Sequence, residues 1–161
     1  MTYTVSIENG VSAGDRRLIE EGLTRHALPT TRVPGFRPIA VLARDPQAEL
    51  VAGAVGTINW NWLHIQLVWV SESRRRTGLG TRLLHEIEHA ATQRGCTRAH
   101  LDTFSYQARP FYERLGYRVF GVLEDYPPGH QRFFMAKEFR RPAQVSTGVS
   151  ARDPHSLHEP S

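Results

Sequence analysis

The sequence predicts a mixed α/β fold, a central sheet with helices packed on it. Three observations carry this. Short segments with the two-residue alternation of half-buried strands recur over the first 139 residues. Between them lie segments whose apolar residues return at helical spacing. Clusters of Gly, Pro, Asn and Asp separate one kind from the other.

Taken in order, residues 3–8 (Tyr-Thr-Val-Ser-Ile-Glu) alternate like a strand. Asp15 or Ser12 can cap a helix running to about Leu28, with Leu18, Ile19 and Leu23 on its inner face. The stretch from His26 to Pro38 contains Pro29, Pro34, Gly35 and Pro38 and reads as a loop. Residues 39–44 and 50–60 form a hairpin about the turn Asp45-Pro46-Gln47-Ala48. After Asn61-Trp62 a further strand covers 63–70, with His64, Gln66, Val68 and Val70 expected on one face. Leu79, Leu83, Leu84, Ile87, Ala90 and Ala91 mark a four-turn helix over 79–94, ended by Gly95. A strand at 97–104, a short helix at 107–115 closed by Gly116, and strands at 117–123 and 132–139 complete the order. The last two strands are joined by a loop built on Pro127-Pro128-Gly129. One domain is expected over residues 1–139, and residues 140–161, rich in Pro, Ser and isolated charges, read as a disordered tail.

Composition narrows the function classes. The chain has 161 residues, net charge +4 and no apolar run near the roughly 20 residues that span a bilayer. The N-terminus lacks the basic and apolar segments of a signal peptide, so a cytoplasmic protein without a membrane partner is expected. A single cysteine, Cys96, excludes an intrachain disulfide and reads as a small buried hydrophobe. The basic excess suits an anionic ligand and argues only weakly for nucleic acid.

Residues 68–82 carry the most information. An apolar strand ends at Val70, a polar loop with Arg74-Arg75-Arg76 follows, and a helix starts near Gly78 or Leu79. The first turn of a helix presents unpaired N–H groups and the positive end of the macrodipole, which together attract phosphate. Glycines at 78 and 80 let a pyrophosphate approach the backbone, and Arg75, Arg76 and Arg82 add charge. A dinucleotide fingerprint fails because Leu83 occupies its third glycine position, and no Gly-Lys-Ser/Thr follows to make a P-loop.

Arg75-x-x-Gly78-x-Gly80 after a strand, with Leu83-Leu84 on the following helix, resembles the acetyl-CoA signature of the GNAT N-acetyltransferase superfamily. The run Ser105-Tyr106-Gln107-Ala108-Arg109-Pro110-Phe111-Tyr112-Glu113-Arg114-Leu115-Gly116-Tyr117 is similar to that family's second motif, N-x-x-A-x-x-x-Y-x-x-x-G-F. Ser105 stands for the usual Asn and Tyr117 for Phe. The resemblance covers about residues 3–139 and implies a mostly antiparallel sheet of about seven strands, helices on both faces, and a splay between the fourth and fifth strands (63–70 and 97–104). It implies a pantetheine arm in that split, along Val68, Trp69 and Val70, and a pyrophosphate on the amides of Arg75, Arg76, Thr77, Gly78, Leu79, Gly80 and Thr81. Ser105, Ala108 and Tyr112 would meet the arm from the second motif. The implied activity is an acetyl-CoA-dependent N-acetyltransferase, moving an acetyl or short acyl group to a primary amine by direct attack in a ternary complex. The acceptor would be a small molecule or peptide; a homodimer is compatible with this and no metal is expected.

Such chemistry needs a neutral amine, a donor for the developing oxyanion and a proton for the leaving thiolate. The resemblance makes Tyr112 the candidate acid. His64 can serve as base because an imidazole titrates near neutrality; Asp102, Glu124, Asp125 and His130 are alternatives, as is ordered water. Trp60, Trp62, Phe104, Tyr106 and Tyr126 can pack against the acceptor or belong to the core. His85-Glu86-Ile87-Glu88-His89 satisfies the H-E-x-x-H zinc pattern, but at 100° per residue both imidazoles point away from the face that packs on the sheet. Two other functions remain open on the sequence: a CoA-binding sensor or scaffold without catalysis, and a toxin-type acetyltransferase acting on charged tRNA.

Overall fold

The structure is a computed structural model that describes residues 2–31 and 36–139; the tail expected at 140–161 lies outside the described residues. Helix α1 (Ala13–Thr31) is followed by strands β1 (Arg37–Arg44), β2 (Leu50–Asn59) and β3 (Trp62–Val70), then helix α2 (Leu79–Gln93), strand β4 (Arg98–Phe104), helix α3 (Arg109–Arg114), and strands β5 (Arg118–Glu124) and β6 (Gln131–Glu138). They build a six-stranded sheet in the order β1-β2-β3-β4-β6-β5, antiparallel except between β3 and β4. Among the described residues no helix is long and apolar enough to cross a membrane.

The strand expected at 3–8 is absent. Those residues are exposed, Val5 and Ile7 almost fully, and they lie in no ladder, which leaves six strands where about seven were expected. Alternation alone could not supply a pairing partner. Helix α1 starts as expected, with Ser12 Oγ accepting from the Asp15 amide at 3.0 Å, but it runs through Pro29 to Thr31 instead of ending near Leu28. A proline near the end of a helix removes one bond from the last turn and does not stop it. Leu18, Ile19 and Leu23, expected to face inward, remain 59–65% exposed. A cavity of about 1040 Å³ lies between helix α1 and Phe36, Pro38 and Thr57.

The core lies on one face of the sheet. Leu83, Leu84, Ile87 and Ala91 of α2 are at most 2% exposed and pack on Ile39, Ala52, Ala54, Ile58, Leu63 and Ile65 of the strands. Cys96 is buried beside them. The Asp45–Ala48 turn forms as read, with the Ala48 amide donating to the Asp45 carbonyl at 2.9 Å.

A bulge in β3 positions everything that follows. Ile58, Gly56, Ala54 and Ala52 of β2 face Leu63, Ile65, Val68 and Val70 of β3, so one extra residue is accommodated between Ile65 and Leu67, and that residue is Gln66. The extra residue reverses the alternation. Val68 and Val70 therefore join Leu63 and Ile65 toward the core, while His64 shares the outer face with Leu67 and Trp69. The expectation that His64, Gln66, Val68 and Val70 share one face fails for this reason.

Gly56 permits the bulge. A Cβ there would stand 2.5 Å from the His64 carbonyl oxygen, a backbone atom that cannot turn aside. Gly56→Ala is expected to cost about 1–3 kcal/mol of stability by overpacking, read as a lower midpoint in thermal or denaturant unfolding. An unchanged midpoint would show that the two strands separate there without penalty.

Candidate active site

Strands β3 and β4 are paired over three rungs only, Trp62 with Arg98, Leu63 with Ala99 and His64 with His100. Beyond the third rung they part. A cavity of about 640 Å³ fills the gap, lined by Ile65 to Val70 on one strand, Leu101 to Thr103 on the other, and Tyr106, Gln107, Ala108 and Tyr112 from the α3 side. Arg75 lines it as well.

The turn from β3 to α2 adjoins this cavity. A single 3₁₀ turn (Glu72–Arg74) leads to Arg75, whose Nε donates to the Val70 carbonyl at 3.3 Å and so draws the guanidinium back against the strand end. Arg76 and Gly78 both have positive φ, 62° and 84°. Gly78 is the N-cap of α2, no side chain caps the helix, and a Cβ at Gly78 would meet nothing within 4 Å. The amides of Leu79, Gly80 and Thr81 precede the first intrahelical donor, the Arg82 amide bonded to the Gly78 carbonyl at 3.0 Å, and open at this end. Gly80 has a different use from Gly78: its Cβ position faces Phe111 at 3.4 Å and Val70 at 3.7 Å, so it sets how closely α2 packs on α3 and β3. Thr77 Oγ1 donates to the Arg74 carbonyl at 2.7 Å and tightens the turn itself.

The family model described as the acetyltransferase (GNAT) family matches residues 17–117. The chain belongs to the GNAT acetyltransferase family. Among relatives, the blasticidin-S acetyltransferase of Streptomyces morookaense is 40% identical over 116 residues, 70% of this chain and 85% of its own. The Agrobacterium fabrum acetyltransferase Atu2258 is 32% identical over 103 residues, 64% of this chain and 75% of its own. A crystal structure of an acetyltransferase from Bacillus cereus superposes with a TM-score of 0.72 at 36% identity, covering 84% of this chain and 98% of that one.

Within this GNAT fold, Tyr112 lies on α3 with its ring edge-on to Phe111 and Tyr117, at centroid distances of 5.1 and 6.1 Å. Burial, and secondarily the Asp102 carboxylate, push its hydroxyl above the usual phenol range, so it stays protonated through neutral pH. Asp102 lines the cavity and accepts from Arg132 Nε at 2.7 Å. That guanidinium lies among the rings of Phe104, Tyr126 and Phe134, each 5.4–5.5 Å away. Burial lowers the pKa of His64, and the nearby Asp102 charge offsets part of the shift. His64 is therefore a neutral imidazole near pH 7.

Other residues singled out in the sequence take supporting positions. Ser105 Oγ meets His130 Nδ1 at 3.2 Å and accepts from the Gln131 amide at 3.2 Å, and Asp125 Oδ1 accepts from the Gly129 amide at 2.7 Å. Ser105, Asp125 and His130 thus shape the loop after β5 and do not line the cavity. Trp60 sits at the β2–β3 hairpin end, away from the parting strands, while Trp62 approaches the site through a T-shaped contact with His100. His85 and His89 are exposed on α2.

Two residues escaped the sequence reading. Gln107 lines the cavity, and its Oε1 accepts from the Phe104 amide and from Thr103 Oγ1, both at 3.1 Å, which fixes the entry to α3. His100 stacks on His64. Neither stands in the family motif as a marked position, and parity along β4 alone does not say that His100 opposes His64.

Proposed function

We propose that this chain is an acetyl-CoA-dependent N-acetyltransferase moving an acetyl or short acyl group to a primary amine of a small molecule, by direct attack in a ternary complex. The observation that carries this is the split: one cavity brings Tyr112 and Asp102 opposite the bulged strand and reaches Arg75, in the turn that leads to the uncapped start of α2. The chemistry supplied by the bound cosubstrate is an activated acyl carbon with a thiolate leaving group.

The residues present suit that group. The open Cβ side of Gly78, the first-turn amides of α2, and Arg75 and Arg76 would hold a pyrophosphate. The strand backbone from Val68 to Val70, with Ala108 across the cavity, would hold an extended amide-bearing arm. The bulge takes one residue of β3 out of the ladder at Gln66, where a backbone donor can polarise a carbonyl. Tyr112 Oη keeps its proton near pH 7 and can give a hydrogen bond to a leaving sulfur. His64, neutral at the same pH, takes a proton from an alkyl ammonium on the outer face.

The decisive assay is thiol release from acetyl-CoA across a panel of amines. Blasticidin S is the first acceptor to try, because the 40% identical relative is named for it. Amine-dependent release together with acetylated product is expected; release at the amine-free rate with every acceptor would overturn the proposal in favour of a CoA-binding sensor. Arg75→Ala is expected to raise the KM for acetyl-CoA roughly tenfold or more, the size of a lost charge-assisted hydrogen bond, with kcat held within a few-fold. Steady-state kinetics at saturating amine separates the two.

A further inference from the structure

Two imidazoles meet at the last rung of the β3–β4 ladder. The rings of His64 and His100 lie nearly parallel, at an interplanar angle of 8° and a centroid distance of 4.3 Å. The next residue on each strand, Ile65 and Leu101, already lines the split. His100 also meets Trp62 in a T-shaped contact, at 5.8 Å and 69°. The Arg98 guanidinium lies over Trp62 at 5.5 Å and is tied to Glu138 by a 2.9 Å ion pair. A row of planar groups thus runs from a fixed surface ion pair to His64.

Ring N–H groups lie in the ring plane, so parallel stacked imidazoles cannot hydrogen-bond to each other. His100 therefore cannot relay a proton to His64. What it supplies is a flat, anchored surface at van der Waals distance, which restricts the rotation of the His64 ring.

We propose that His100 is a positioning residue for His64, the platform that holds the base at the point where the strands part. The inference rests on the reading of His64 as the base. It has an electrostatic consequence, because two charged rings at this separation repel. Burial lowers both pKa values and the Asp102 charge opposes the shift at both, while His64 further lowers His100. A proton on His64 therefore disfavours one on His100. The charged groups around the pair are Asp102 on β4, with Arg132 of β6 bonded to it, and Arg98 beyond Trp62. Strand β2 places the neutral Thr57 opposite His64, and β6 places Ala136 opposite His100.

The test joins kinetics to imidazole titration by NMR in the full chain. His100→Ala is expected to lower kcat about tenfold to a hundredfold, the scale of a misplaced catalytic group, with the KM for acetyl-CoA unchanged. His100→Phe, which keeps a flat ring, should restore kcat to within about threefold, far inside that loss. In the titration, His64→Phe should move the His100 midpoint up. A wild-type rate in His100→Ala, no rescue by His100→Phe, or a His100 midpoint unaffected by His64→Phe would each overturn the inference. Full activity in His64→Ala would instead overturn the base reading, whatever the titration shows.

Discussion

Tyr112→Phe is expected to lower kcat for amine acetylation by roughly 10²–10⁴-fold, the usual contribution of a positioned proton donor, while leaving the KM for acetyl-CoA within a few-fold. The ring contacts with Phe111 and Tyr117 survive the substitution, so the unfolding midpoint should hardly move. That separation matters because Tyr112 is largely buried, and a packing role alone would also place a tyrosine there. Burial and the Asp102 carboxylate both raise its pKa, so in the wild type the hydroxyl remains a donor well past neutrality. Activity limited by this group should therefore fall only above the ordinary phenol range, not between pH 7 and 9. A Phe variant within about twofold of wild type would reduce Tyr112 to a core residue and leave thiolate protonation to solvent.

How much of this was legible in the sequence depends on whether the signal was local. The start of α2 is local: a strand, a basic turn, Gly78 and an apolar helical stripe lie within 15 residues of one another, and the helix forms where that pattern puts it. The hairpin at Asp45 is local too. The bulge at Gln66 is not, because it exists only through Gly56 on the neighbouring strand, and it inverts the side of every later residue in β3. A reading by parity alone therefore assigned Val68 and Val70 to the face of His64. The missing strand at 3–8 failed for a similar reason, since alternation marks a segment able to join a sheet and pairing decides whether it does. The H-E-x-x-H pattern drew attention to His85 and His89 and away from Glu88, the buried residue between them.

Glu88→Ala is expected to destabilise the fold by about 3–5 kcal/mol, the cost of breaking a buried ion pair by removing one partner. Glu88 is 8% exposed, and each of its oxygens is used: Oε1 accepts from Tyr117 Oη at 2.7 Å and Oε2 from Lys137 Nζ at 2.6 Å. The carboxylate thus ties α2 to Tyr117, the residue just before β5, and to β6. Alanine would strand a partly buried ammonium and a buried hydroxyl together, against a total stability of about 5–15 kcal/mol for an ordinary domain. Denaturant unfolding measures the loss, and a midpoint like that of wild type would show that water reaches both groups. The physical origin can be separated from simple cavity formation. Glu88→Leu combined with Tyr117→Phe and Lys137→Met removes all three polar groups at once, and such replacement is often neutral or stabilising. Recovery of most of the stability in the triple variant is therefore expected. The triad then has a second consequence, because Tyr117 packs edge-on against Tyr112. A triple variant that folds yet loses kcat would show that this carboxylate holds α3 at the distance the chemistry requires.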